Sequence, residues 1–361
     1  MKQSHFEALA PVCPVCRPGM GEGAPLSLAA VWTQDKDTVL EGVLRCTSPA
    51  CQCEFPILDG IPIIVPNPRA FVAANSAQLA MRDDLSPDSR RTLVECAGPG
   101  SWLEAAVQHI SNYAWDHYAQ FDPQETAGEP KPGAVARVLA AATPHLRSGG
   151  RPVIDIGCSV GRASFELAAT TGGLVLGIDT HIPMLRLAQR ILRSSEVAYL
   201  RRGSGLLYEH RTFPVGFQAA RAVDFWACDA TALPFPAATF SGALSLNVLD
   251  CVLSPLDHLR SLANILNPGA TAVLTTPYDW SAAATPIEAW IGGHSPRGFS
   301  AGRPADVLRS ILMPGAHPAS LPSLQLISEQ QHCPWHVRLH DRAVMHYDLH
   351  LSVVEAKGHQ S

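Results

Sequence analysis

The sequence has no run of about 18 apolar residues, so no segment is expected to cross a membrane as a helix. Its opening, MKQSHFEALAPVCPVC, lacks the apolar stretch of a secretory leader. The protein is therefore expected in the cytosol, where a reducing environment argues against disulfides. A basic excess is also missing: 27 Lys and Arg stand against 32 Asp and Glu, for a formal net charge of −5. Chains built to hold nucleic acid usually carry a basic footprint, so the balance favours a small molecule or a protein as substrate. Charged residues are scarce at 16%, while apolar residues reach 47%, more than a disordered chain carries. No internal repeat is visible, and 361 residues leave room for two or three domains.

What is there divides into three. Residues 1–68 are short, rich in cysteine and strand-like, ending in the β-branched run IPIIVP. Residues 69–133 read as a helical linker or lid, clearest in SWLEAAVQHISNYAWDHY, followed by the polar loop FDPQETAGEPKPG. From residue 134 to 361, helices such as ARVLAAATPHL, RASFELAAT, HIPMLRLAQRILRS and HLRSLANIL alternate with the strands RPVIDIGC, LVLGIDT, AVDFWACDA, FSGALSLNVL and TAVLTTPYD. That alternation predicts an α/β fold, a parallel Rossmann-like sheet with helices on both faces. LQLISEQQ and YDLHLSVVEAK close it as antiparallel edge strands.

Five of the ten cysteines lie in the first 53 residues. Cys13-Pro-Val-Cys16 is a knuckle, and Cys46, Cys51 and Cys53 follow about thirty residues later. Two such pairs suit a tetrahedral Zn²⁺ that ties two loops together. A segment this short has little core of its own, so the metal would supply its stability. Cys13, Cys16 and Cys46 are three ligands, with Cys51 favoured over Cys53 as the fourth. Phe55-Pro56-Ile57 and Asp59-Gly60-Ile61-Pro62 follow. With these, residues 8 to 68 resemble the Trm112-like zinc ribbons. That resemblance implies a module that accompanies methyltransferases and supports them structurally, with a closed, non-catalytic zinc.

In VIDIGCSVGRASFELA a buried strand ends at Asp155, a turn holds Gly157, Ser159 and Gly161, and a helix begins. Small residues there let a ligand approach the backbone, and the helix N-terminus favours a carboxylate. Asp179, 24 residues after Asp155, ends the second strand, where an acid can accept both ribose hydroxyls of a nucleoside. Asp229-Ala230 follows the third strand, and SLNVLDCVLSP with Asn247 and LNPGATAVLTTP follow in turn. The order and spacing resemble the motifs of class I methyltransferases that use S-adenosylmethionine. Ser159 departs from that family's usual middle glycine. The resemblance implies that Asp155, Gly157, Ser159, Gly161, Asp179, Asp229, Ala230 and Asn247 hold S-adenosylmethionine, Asp229-Ala230 facing the adenine amino group.

After the fifth strand comes TTPYDWSAAATPIEAWIGG, with Tyr278, Asp279, Trp280 and Trp290. Tyr278, Asp279, Asn247 and Asp250 fall at carboxyl ends of strands, where open α/β sheets bind ligands. Aromatic and acidic groups there suit a small nitrogen acceptor. Trp290 is as readily a core residue.

Residues 110–357 resemble the methyltransferase domain of ovothiol biosynthesis, the 4-mercaptohistidine (5-thiohistidine) N1-methyltransferases. DIGCSVGRASFELA, NVLDCVLSPLDHL, LNPGATAVLTTPYDW, TPIEAWIGG and CPWHVRLHDRAVMHYDLHLSVVE carry the likeness, with Asp116-His117-Tyr118. The acceptor implied is the ring nitrogen of 5-thiohistidine. Tyr278 or Asp279 would orient the imidazole and take its proton, with Asn247 beside them. Arg338 or Arg342 would clamp its carboxylate, and Tyr118, Asp250 and Trp280 would line its site. Ala343 stands where that family usually has lysine. His117, His336 and His340 are further polar candidates. Familiar ovothiol enzymes join this domain to a sulfoxide synthase; here a ribbon takes its place, so the synthase is expected to be a separate protein. Two other readings stand: an rRNA guanine-type methyltransferase with a zinc knuckle, and a non-catalytic methyltransferase-like scaffold.

Overall fold

The computed structural model describes residues 1–17, 22–82, 84–126, 130–146 and 149–358. Three residues of the polar loop, 127–129, lie outside them.

The strands are β1 (Leu26–Asp35), β2 (Thr38–Cys46), β3 (Glu54–Leu58), β4 (Ile61–Ile64), β5 (Val153–Ile156), β6 (Val175–Asp179) and β7 (Glu196–Arg202). They continue with β8 (Tyr208–Pro214), β9 (Val223–Cys228), β10 (Phe240–Leu246), β11 (Leu266–Thr276), β12 (Leu324–His340) and β13 (Ala343–Ala356). The helices are α1 (Gln3–Leu9), α2 (Pro68–Ala74), α3 (Ser76–Ala80), α4 (Pro87–Ala97) and α5 (Trp102–Tyr118). After them come α6 (Ala134–Ala142), α7 (Arg162–Thr171), α8 (Ile182–Ser194), α9 (Pro255–Ile265) and α10 (Pro304–Ile311).

Eleven strands form one sheet in the order β1-β2-β3-β4-β9-β6-β5-β10-β11-β13-β12. From β9 to β11 the strands are parallel, and β13 runs antiparallel to β11. This is a Rossmann-like α/β sheet whose strand order reverses between β5 and β10. A crevice opens at such a switch point, outside the carboxyl ends of the strands. Both faces are covered, and the strands are accordingly apolar throughout. In β9 every residue is buried; Phe225 packs into the core on one face and its neighbour Trp226 into the core on the other.

The N-terminal ribbon is not a separate body. β4 pairs in parallel with β9, so the ribbon extends the main sheet, and Leu44, Phe55 and Ile57 share one core with Trp226 and Phe235. Its β3–β4 turn is the Asp59-Gly60 pair, with φ of 55° and 82°. A two-residue hairpin needs left-handed backbone at both positions, which Asp-Gly supplies.

Residues 69–133 do not form one long helix. Pro87 opens α4, Ser101 caps α5 by accepting the Glu104 N–H, and α5 packs against β7 and β12. The β7–β8 hairpin lies apart from the main sheet, within the crossover from β6 to β9, and was not read from the sequence. Its signal was there: the apolar run at residues 197–200 and the segment around Phe213 flank a Gly-Ser-Gly turn. The helix before Asn-Pro-Gly ends at Ile265, and Leu266 already begins β11.

Candidate functional site

β5 carries a buried Asp155 next to its end and delivers the chain into a turn where Gly157, Ser159 and Gly161 have φ of 73°, 53° and 89°. A Cβ on Gly157 would stand 2.4 Å from Val248 Cγ2, and one on Gly161 would stand 2.7 Å from the Phe225 ring. The turn needs both glycines for space as well as for backbone angle. α7 begins after Gly161, which has no side chain to cap it.

Asp179 ends β6. One carboxylate oxygen accepts the Ser159 N–H and the other the His181 N–H, both at 2.9 Å, so this acid ties the strand end to the glycine turn. Asp229, after β9, accepts the N–H and hydroxyl of Thr231. The adjacent Ala230 carbonyl lies 3.2 Å from His258 Nδ1, whose Nε2 lies 3.0 Å from Ser245 Oγ. Burial pushes the His258 pKa down to about 4, so the ring is neutral. Donation to Ala230 then leaves Nε2 to accept from Ser245. Asn247, at φ 56°, follows β10 and accepts the Thr275 hydroxyl at 2.9 Å.

These strand ends frame a cavity of about 440 Å³. Asp155, Gly157, Ser159, Asp179, Asp229, Ala230 and Asn247 all line it, while Gly161 shapes the turn from behind. Burial raises the Asp155 pKa to about 7, against the Ser164 hydroxyl, which donates to it at 2.6 Å; the nearby Asp179 charge adds to the rise. His109, Tyr113 and His117 of α5, His181, Cys251 and Trp335 also line the cavity. The sequence singled out His117 of these only as an alternative.

Of the residues expected to meet the acceptor, Asn247 lines the cavity, and the others lie outside its lining. The Tyr278 hydroxyl lies 2.6 Å from His350 Nδ1, and His350 leans on Glu329, so Tyr278 belongs to a network between β11, β12 and β13 and not to the cavity lining. Asp279 is exposed and accepts the Tyr347 hydroxyl at 3.1 Å. Asp250 is buried and accepts from Thr276 Oγ1 and the Asp279 N–H, which folds the segment after β11 back on itself. Trp280 stacks on Trp290, with ring centroids 5.8 Å apart. Tyr118 is fully buried and donates to the Val160 carbonyl at 2.6 Å, pinning the glycine turn to α5. Arg338 is buried against Asp341, the Arg202 carbonyl and the Trp115 ring; Arg342 is exposed in the turn after β12. Neither arginine lines the cavity, nor do His336 and His340.

In the ribbon, the sulfurs of Cys13, Cys16, Cys46 and Cys51 all lie within 4.8 Å of one another. Cys13 and Cys51 are 3.8 Å apart, Cys16 and Cys46 3.6 Å. Zn–S bonds of about 2.3 Å in a tetrahedron place sulfurs about 3.8 Å apart, so the cluster fits zinc. Cys53 is not part of it; its thiol faces the Glu54 carbonyl at 3.9 Å.

A family model described as a methyltransferase domain matches residues 154–274. The tRNA U34 carboxymethyltransferase of Geobacter sp. (strain M21) is 28% identical over 137 residues, 37% of this chain and 34% of that protein. The O-methyltransferase resE of Aspergillus sclerotiorum is 25% identical over 156 residues, 43% of this chain and 48% of that protein. The chain thus spans less than half the length of these curated relatives. Among solved structures, the complex between the Haloferax volcanii Trm112 methyltransferase activator and a putative methyltransferase aligns at 15% identity, 72% of this chain, 96% of that chain and a TM-score of 0.39. The Haemonchus contortus phosphoethanolamine N-methyltransferase 2 aligns at 18% identity, 46% of this chain, 32% of that chain and a TM-score of 0.33. The stretch matched by the methyltransferase-domain model runs from β5 into β11, and so takes in β5, β6, β9 and β10, whose ends frame the cavity.

Proposed function

We propose that the protein transfers the methyl group of S-adenosylmethionine to a small imidazole acceptor, 5-thiohistidine or a close relative. The observation that carries this reading is the mixed lining of one cavity: strand-end acids together with imidazole and aromatic rings of α5 and β12. Asp179 would receive the ribose hydroxyls, the loop at Asp229 and Ala230 the adenine amino group, and Asp155 with the glycine turn the amino-acid end of the donor. When bound, the donor supplies an activated methyl: the acceptor nitrogen forms the N–C bond, the S–C bond breaks, and the sulfur keeps the electron pair. The acceptor's surplus proton leaves to water. The protein's own part is positioning and exclusion of solvent.

A nucleic-acid substrate calls for a positive groove, and none of the described residues lining the cavity is Lys or Arg. The sulfur of a 5-thiohistidine acceptor would be installed by a separate sulfoxide synthase. In the ribbon, Cys13, Cys16, Cys46 and Cys51 would hold one structural Zn²⁺, with no open position for chemistry.

The test is mass spectrometry of the products after incubation with S-adenosylmethionine and, side by side, 5-thiohistidine, histidine or a tRNA anticodon stem-loop. A methylated imidazole is expected. Methylation of the RNA alone would replace this reading with the RNA one.

A further inference from the structure

We infer that the face of α5 carrying His109, Tyr113 and His117 is the acceptor-recognition wall of the cavity, and that His117 makes the hydrogen bond that orients the acceptor ring. This rests on the methyl-transfer reading above. His109, Tyr113 and His117 recur every four residues and so share one face of the helix. All three line the cavity that Asp155, Asp179 and Asp229 also line. Their rings follow one another at 5.0 and 6.3 Å, from an exposed His109 through a half-buried Tyr113 to a buried His117.

His117 is 4% exposed, and its Nδ1 is buried with no hydrogen-bond partner among the described residues. A buried polar atom left without a partner is uncommon in folded proteins, and a ligand is one way to satisfy it. The ring is also held in place by its neighbours. The Asp116 carboxylate accepts the N–H groups of Ala134 and Val135 at the start of α6, at 2.7 and 3.2 Å. Tyr118 grips the glycine turn through Val160, and Arg162 donates to the His117 carbonyl at 2.8 Å. Of three consecutive residues, two therefore fasten the helix end to α6 and to the cofactor turn, and the one between them faces the cavity.

The chemistry of the ring indicates the class of acceptor. Burial, together with the Arg162 charge, pushes the His117 pKa down to about 3, so it is a neutral imidazole with one donor and one acceptor. Such a ring does not repel a cationic methyl donor, and it pairs with a neutral, planar heteroaromatic carrying a ring nitrogen. Trp335 contributes a flat apolar surface to the same cavity.

The test combines calorimetry of 5-thiohistidine into protein saturated with S-adenosylhomocysteine and initial rates of methylated product. His117→Ala is expected to keep near-normal S-adenosylhomocysteine affinity while kcat/KM for 5-thiohistidine falls about 10- to 100-fold, the effect of one lost buried hydrogen bond. His117→Asn, which returns an amide near the same position, should recover part of the loss. Unchanged kcat/KM and unchanged 5-thiohistidine affinity in His117→Ala would overturn the assignment. So would a parallel loss of cofactor and acceptor binding, the mark of a structural role. If wild-type protein binds S-adenosylhomocysteine but neither binds nor methylates 5-thiohistidine, the acceptor assignment falls and the cofactor reading stands. Failure to bind S-adenosylhomocysteine would remove the reading beneath both.

Discussion

Asp59, at the tip of the β3–β4 hairpin, forms a 2.7 Å ion pair with Arg186 on α8. The same guanidinium donates to the carbonyls of Gln78, Leu79 and Met81, so one buried arginine joins the ribbon, α3 and α8. Arg186→Met leaves those oxygens without their donor and is expected to cost about 2–4 kcal/mol. Asp59→Asn keeps the left-handed turn and loses only a half-exposed charge, for about 1 kcal/mol or less. Urea denaturation checks both. Because ribbon and sheet share one core, a single transition is expected; a separate early transition of the ribbon would contradict that.

Cys51→Ser should abolish zinc binding and Cys53→Ser should preserve it, because only Cys51 joins the cluster of four sulfurs. Elemental analysis of purified variants reads this directly. Chelation of the metal should lower the melting temperature of the wild-type protein, since binding energy at such a site is folding energy.

Asp179→Ala removes the carboxylate proposed for the ribose hydroxyls and also the acceptor for two backbone N–H groups. A loss of about 1–3 kcal/mol in S-adenosylhomocysteine affinity is expected by calorimetry. Unchanged affinity would take this residue out of the site.

The role proposed for Asp155 predicts a pH dependence of defined sign. Burial raises its pKa to about 7 in the free protein, so it carries its proton below that value and a charge above it. Pairing with the donor's ammonium group favours the charged form and lowers the pKa in the complex. Affinity should therefore rise as pH increases through the window below 7 and level off above it. Calorimetry at pH 6, 7 and 8 should show this trend in the wild type and a flatter one in Asp155→Asn.

Tyr278→Phe is expected to leave turnover and S-adenosylhomocysteine affinity near normal, because the hydroxyl meets His350 and not the cavity. Its effect should appear as a loss of about 1 kcal/mol in stability, the share of one hydrogen bond. A large fall in kcat with unchanged stability would return Tyr278 to the acceptor site.

The sequence by itself determined the features that are local. A strand followed by Gly157, Ser159 and Gly161, acids at successive strand ends, an Asp-Gly hairpin and a Cys-x-x-Cys knuckle are each set by a few neighbouring residues. Their backbone requirements can be read off the letters. Tertiary structure alone decided which side chains share a cavity. Tyr278 ends a strand as Asn247 does, yet its ring meets His350, 72 residues further on, while Asn247 lines the cavity. His117 looked like any helical histidine until α5 was packed against β7 and β12, and Tyr118 was bonded to Val160, 42 residues away. The ribbon likewise became part of the main sheet only through β4 and β9, strands more than 150 residues apart. A side chain's direction at an element's end depends on what that element packs against, and those contacts are distant in sequence.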